Sequence, residues 1–132
     1  MKITFQIFPE ENYFISKYTG QITPEYLLES WKEFIKYGGW KPGLYEITDL
    51  SSADVTKLDG NTLATLSSYI NSVYEAHAIS EIKVAVYAPR DLPFGMARMY
   101  EAYANESTEL VKVFRDKQKA IEWIKDTNIN SD

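Results

Sequence analysis

The chain has 132 residues, 45% hydrophobic and 25% charged, which suits one globular domain able to bury its own core. The absence of cysteine excludes disulfides, thiolate nucleophiles, cysteine-ligated zinc and iron–sulfur clusters, and a single histidine, His77, argues against a zinc site or a histidine-based catalyst. A net charge of −5 opposes nucleic-acid binding, and no apolar run approaches the roughly 20 residues of a membrane span, so a cytoplasmic protein without cofactor or metal is expected.

Met1-Lys-Ile-Thr-Phe-Gln alternates apolar and polar, as a strand does and a signal peptide does not, and the strand is expected over Ile3–Phe8. Pro9-Glu-Glu-Asn12 turns the chain into a second strand, Tyr13–Tyr18, with Tyr18-Thr-Gly20 carrying it toward Ile22; the two read as an antiparallel hairpin. Thr23 is a natural N-cap and Pro24 a natural first helical residue. The helix they open carries Leu27, Leu28, Trp31, Phe34 and Ile35 on one stripe and stops at Gly38-Gly39. After the Trp40–Gly43 turn, Leu44–Leu50 is a third, interior strand. Ser51–Asp59 is a polar loop, and Asp59 or Asn61 caps the longest helix, whose buried face should run through Leu63, Leu66, Ile70, Val73 and His77.

Ile82–Ala88 is apolar, β-branched and closed by Pro89, the signature of a strand covered on both faces. Asp91–Gly95 leads into a helix over Met96–Ala104, and Leu110–Phe114 forms a fifth strand. This strand–helix–strand unit is expected to cross over right-handed and leave its strands parallel. Asp116 caps a last helix with Ala120, Ile121 and Ile124 inward, and Asn128–Asp132 is expected to fray. The order β-β-α-β-α-β-α-β-α describes one α/β domain over residues 1–132, with a five-stranded, mostly parallel mixed sheet and about four helices.

Two stretches make the pattern familiar. A strand ending in Asp49-Leu50-Ser51, then Leu58-Asp-Gly-Asn-Thr-Leu63 opening a helix, resembles the STAS domains, the fold of the anti-sigma-factor antagonists. The run Val84-Ala-Val-Tyr-Ala-Pro89, followed by Phe94-Gly-Met-Ala-Arg-Met-Tyr100, Val113-Phe-Arg-Asp116 and Ala120-Ile-Glu-Trp123, is similar to the SpoIIAA-like (STAS-like) group of small bacterial proteins. The resemblance implies a STAS-like fold and a regulatory role. STAS antagonists carry a phosphorylatable serine in an Asp-Ser-Ser-Gly motif at the start of the second helix. Here Asp59-Gly60-Asn61-Thr62 takes that place without a serine, which leaves Thr62, Ser51 and Ser52 as phosphorylation candidates.

Ligands of parallel sheets gather beyond the carboxyl ends of the strands. That rim should collect Asp49, Ser51, Ser52 and Asp54, then Arg90 and Asp91, then Arg115 and Asp116, with helix N-termini at Thr23, Asn61 and Phe94. Asp49, Asp59, Asn61, Arg90, Asp91, Phe94, Arg98 and Arg115 are therefore candidates for binding an anionic ligand or a partner; as plain structure, they are caps and turn residues. All three arginines fall in this one segment, and Arg98 is also spaced to pair with Glu101. A second, apolar candidate combines Leu63, Leu66 and Ile70 with Met96, Met99, Tyr100 and Tyr103, which could line a pocket or simply fill the core. Tyr69, Tyr74 and Tyr103 would suit a homodimer interface.

The sequence favours a non-catalytic binding or regulatory domain that meets an unknown protein partner through the Ser51–Thr62 loop and the helices that follow. The alternative is a carrier of a small apolar or lipid-like ligand between the Leu63–Val73 and Met96–Tyr103 helices. An enzyme using Arg90, Arg98 and the strand-end aspartates is the remaining class.

Overall fold

A computed structural model describes residues 1–104 and 108–126. Five strands form one sheet in chain order: β1 (Lys2–Phe8), β2 (Tyr13–Gln21), β3 (Tyr45–Asp54), β4 (Ile82–Tyr87) and β5 (Glu109–Phe114). Among these, β1 alone runs antiparallel, joined to β2 by a single 3₁₀ turn at Pro9–Glu11; β2, β3, β4 and β5 are parallel. The helices between them are α1 (Pro24–Tyr37), α2 (Gly60–Ala76) and α3 (Asp91–Ala104), with α4 (Lys117–Lys125) after the last strand. A right-handed crossover repeated in one direction along a sheet stacks its helices on one face. Accordingly α1, α2 and α3 share one core with the sheet, while α4 covers the other face with Ala120 and Ile124 over Ile47 and Ala85. The fold class, element order and mixed sheet are those expected from the sequence; the expected tail at Asn128–Asp132 lies outside the described residues.

The helix-face core is built around aromatic rings. Phe14 of β2 is fully buried between Phe5, Trp31 and Phe34, with ring centroids 6.5, 5.9 and 4.9 Å away. Phe5 stacks on Phe34 at 4.1 Å, so α1 is clamped to the β1–β2 hairpin. Thr23 caps α1 as expected, its hydroxyl accepting from the Tyr26 N–H at 3.3 Å. Thr23→Ala should therefore cost about 1 kcal/mol in a urea titration, and a loss-free Thr23→Ala would show that packing alone sets this helix start. Gly39 and Gly43 hold the turn into β3 at φ of +90° and +95°, where side chains with a Cβ are strained.

Four features refine the sequence expectation. β3 continues to Asp54, so residues 51–54 are strand and the loop shrinks to residues 55–59. The cause is a register shift against β2: Lys17 pairs Asp49 but Thr19 pairs Ser52, which leaves one extra residue in β3. That bulge lets Leu50, Ala53 and Val55 all reach the helix-face core, an odd spacing that simple alternation forbids. Second, β2 runs past Tyr18 to Gln21, the continuation that Tyr18-Thr-Gly20 suggests, as parallel pairing with the extended β3 continues to Gln21–Asp54. Third, α3 starts at Asp91 rather than Met96, closed by the Phe94 N–H on the Arg90 carbonyl at 3.0 Å. Pro93 falls in the first turn, where a missing N–H costs nothing, so Phe94 is a first-turn residue and not the helix start. Fourth, the buried face of α2 ends on Tyr74 rather than on Val73 and His77. His77 is exposed and caps the helix end, its Nδ1 2.9 Å from the Val73 carbonyl.

Candidate functional site

The rim at the carboxyl ends of the parallel strands holds the expected residues, but their polar groups are largely used within the fold. Arg90 reaches across β3, and its Nη2 donates to the carbonyls of Ala53 and of Leu50, the latter at 3.4 Å. Arg115 donates to the Pro89 carbonyl at 3.2 Å and to Asp91 at 2.9 Å, with its guanidinium 4.1 Å from the centre of the Phe94 ring. Asp49 is buried; one oxygen accepts from the N–H and hydroxyl of Ser51, and the other lies 3.9 Å from Lys117. Asp59, not Asn61, caps α2 by accepting from the Thr62 N–H and hydroxyl, both at 2.9 Å, and those bonds hold its carboxyl below the usual aspartate range. Asn61 is exposed, and Arg98 pairs with Glu101 at 3.4 Å on the surface of α3. The rim residues thus fall into separate small clusters. Of the phosphorylation candidates, Ser52 is exposed, Ser51 is half-buried on Asp49, and Thr62 is only 7% exposed. Among the described residues, no group of three acidic or histidine side chains is placed to hold a metal, and no helix is long and apolar enough to cross a membrane.

The apolar candidate fares differently. Leu63, Leu66 and Ile70 of α2 and Met96 and Tyr100 of α3 do come together, over Leu27 and Trp31 of α1 and the β3–β4 surface at Val84 and Val86. They line a half-open cavity of about 80 Å³, several times the roughly 10–15 Å³ that one water needs. Met99 and Tyr103 are not part of it: at 44% and 45% exposed they lie on the outer side of α3, near Gly60. Val55 and Leu58, from the shortened loop, complete the wall.

Into this apolar space project two carboxyl groups. Glu46 of β3 and Glu109 of β5 are 4% and 5% exposed. Register explains why both line it: Glu46 pairs Val84, and Glu109 pairs Ile82 on the opposite side of β4, so both side chains stand on the helix face two strands apart. Ser16 and Thr48 each donate a hydroxyl to one oxygen of Glu46 at 2.7 Å, and Tyr100 donates to Glu109 at 2.6 Å. Burial pushes Glu46 up to about 7 against the pull of those two hydroxyls. Burial, helped by the nearby Glu46 charge, pushes Glu109 up to about 8. Tyr18 stands beside them, accepting from the Trp31 indole N–H at 2.8 Å; burial first, then Glu46, drives its phenol well above the usual range. Tyr74 and Tyr100 are raised by burial first and then by Glu109, so all three phenols stay protonated donors near neutrality.

Sequence reasoning assigns Leu63, Leu66, Ile70, Met96 and Tyr100 to this cavity but not its other lining residues, among them the polar Tyr18, Glu46, Thr48 and Glu109. A usable signal exists for one of them: a glutamate inside a strand expected to be interior is costly unless it is paired or functional. Glu109 offers no such signal, because the sequence pattern starts the fifth strand one residue later.

No family model matches this chain, and no curated protein matches it. Among solved structures it is similar to an uncharacterised protein of the DUF3478 family from Shewanella loihica PV-4 that has a SpoIIAA-like fold. The two superpose with a TM-score of 0.58 at 16% identity, over 93% of this chain and 92% of the other. That likeness is one of fold.

Proposed function

We propose that this chain, a SpoIIAA-like domain, works by binding, with no chemistry of its own, and that it holds a small, mostly apolar molecule beneath α2 and α3. The observation that carries this reading is the cavity of about 80 Å³ walled by Leu63, Leu66, Ile70, Met96 and Tyr100. Apolar atoms lining such a space lack dispersion contacts on its open side. A ligand that restores those contacts binds by filling it. The rim supports the reading by contrast, because Arg90, Arg115 and Asp49 are already engaged by the fold.

A regulatory protein partner docking on residues 51–62 is the second reading, favoured by the exposure of Ser52, Thr56, Lys57 and Asn61. It has the smaller surface, since Val55, Leu58 and Thr62 are buried there.

Ala97, buried on the cavity wall, offers the test. Wild-type protein should shift the amide resonances of α3 and β4 on titration with isobutanol. Ala97→Leu should fill the space, change stability by less than about 1 kcal/mol and abolish the response. If Ala97→Leu binds isobutanol as the wild type does, the ligand is elsewhere and the reading falls.

A further inference from the structure

We propose that the molecule held in this cavity is a small primary amine, with a compact apolar body against α2 and α3 and its ammonium group between Glu46 and Glu109. This rests on the cavity reading above and adds the charge and chemistry of the occupant. The polar groups lining the cavity include the carboxyls of Glu46 and Glu109 and the hydroxyls of Tyr18, Thr48 and Tyr100; among the described residues, no lysine, arginine or histidine lines it. The basic side chains closest in the fold are directed away. Lys83, on the intervening strand β4, stands on the opposite face with its Nζ 3.4 Å from the Trp123 carbonyl and 4.9 Å from its ring centre. Arg90 is turned toward the carbonyls of β3. An acidic ligand would meet two carboxyls and no cation. A neutral one would gain only uncharged hydrogen bonds from the two acids, the weaker kind.

An ammonium group suits the geometry in three respects. It brings three N–H donors and no acceptor, which complements carboxylate oxygens. Its targets are held in place before binding, Glu46 by Ser16 and Thr48 and Glu109 by Tyr100, so little side-chain freedom is lost. Those three hydroxyls also favour the ionised form of each acid, whereas burial opposes it. Near neutral pH the pair retains protons that an ammonium can displace, so the charge it brings is balanced by a proton leaving to solvent. A cavity of about 80 Å³ limits the body to a few carbon atoms.

Isobutylamine, isobutanol and isobutyrate share one skeleton and separate the possibilities. Each is titrated into the full chain near neutral pH, followed by amide chemical shifts and by calorimetry in two buffers of different ionisation enthalpy. The amine should bind roughly tenfold tighter than the alcohol or better, as expected of charge-assisted hydrogen bonds. It should release up to about one proton per molecule bound. Isobutyrate should not bind. In Glu46→Gln/Glu109→Gln, isobutanol binding should persist while the preference for amine and the proton release disappear. Equal binding of amine and alcohol, or amine binding that survives the double substitution, overturns the amine assignment and leaves the cavity reading standing. Failure of all three probes overturns both.

Discussion

Stability should fall, not rise, as pH increases from about 4.5 to about 8. Two fully buried carboxyls set this sign. Glu46 and Glu109 have pKa values of about 7 and about 8 in the folded chain, against 4.5 for a free glutamate. Between those limits the native state binds more protons than the unfolded one, so each increment of pH draws folding free energy down. The stabilising effect of the buried acid form is complete below the unfolded value and gone above the folded one. Each tenfold difference in proton affinity between the two states is about 1.4 kcal/mol, so the loss is roughly 3–5 kcal/mol per group. The neighbouring titratable groups are Tyr18 on β2, Tyr74 on α2 and Tyr100 on α3, all raised above their ordinary range and so silent in this window. Asp54 and Asp59 act at the other end: Thr56 and Thr62 lower them, and the stability they confer is lost only as pH falls below the ordinary aspartate range. Urea unfolding across the pH series should show a maximum on the acid side of neutrality. Glu46→Gln and Glu109→Gln should each flatten the alkaline limb and, at its upper end, be more stable than the parent. A flat or rising profile up to pH of about 8 would show that these acids are hydrated and ionised in the native state.

Phe14→Ala should lower stability by about 3–5 kcal/mol, the range for deleting a fully buried ring. Phe14 is 0% exposed, sits between Trp31 and Phe34 of α1, and pairs Glu46 in the β2–β3 register. The void it leaves cannot collapse easily, because Trp31 is tethered through its indole N–H to Tyr18. The denaturation midpoint should drop with the slope unchanged, since the folded surface stays the same. Met99→Ala, on the outer side of α3, is the matched control and should stay within about 0.5 kcal/mol. If both variants behaved alike, the aromatic cluster would not be the core of this domain.

Much of the fold is legible from one dimension because its signals are local. Thr23-Pro24 caps and opens α1 wherever that segment lies, and the apolar run of β4, interrupted only by Lys83, demands cover on both faces. The boundaries that mislead are those where a neighbour decides. β3 reads as ending at Leu50 because Ser51, Ser52 and Asp54 look like loop, yet pairing with β2 carries it to Asp54. The start of α3 hides behind Pro93, a residue that breaks helices everywhere except in their first turn.

The site divides along the same line. Periodicity places Leu63, Leu66 and Ile70 on one face of α2, and Met96 and Tyr100 on one face of α3, so the helical part of the cavity wall largely follows from the chain alone. That the facing helices leave a space rather than a packed seam depends on how three crossovers stack, which no local pattern encodes. The same holds for Glu46 and Glu109. They are 63 positions apart, and only the registers of β3 and β5 against β4 bring both carboxyls to one face. Burial then converts two ordinary acids into groups that hold their protons near neutrality, a property of the medium around them and not of their identity.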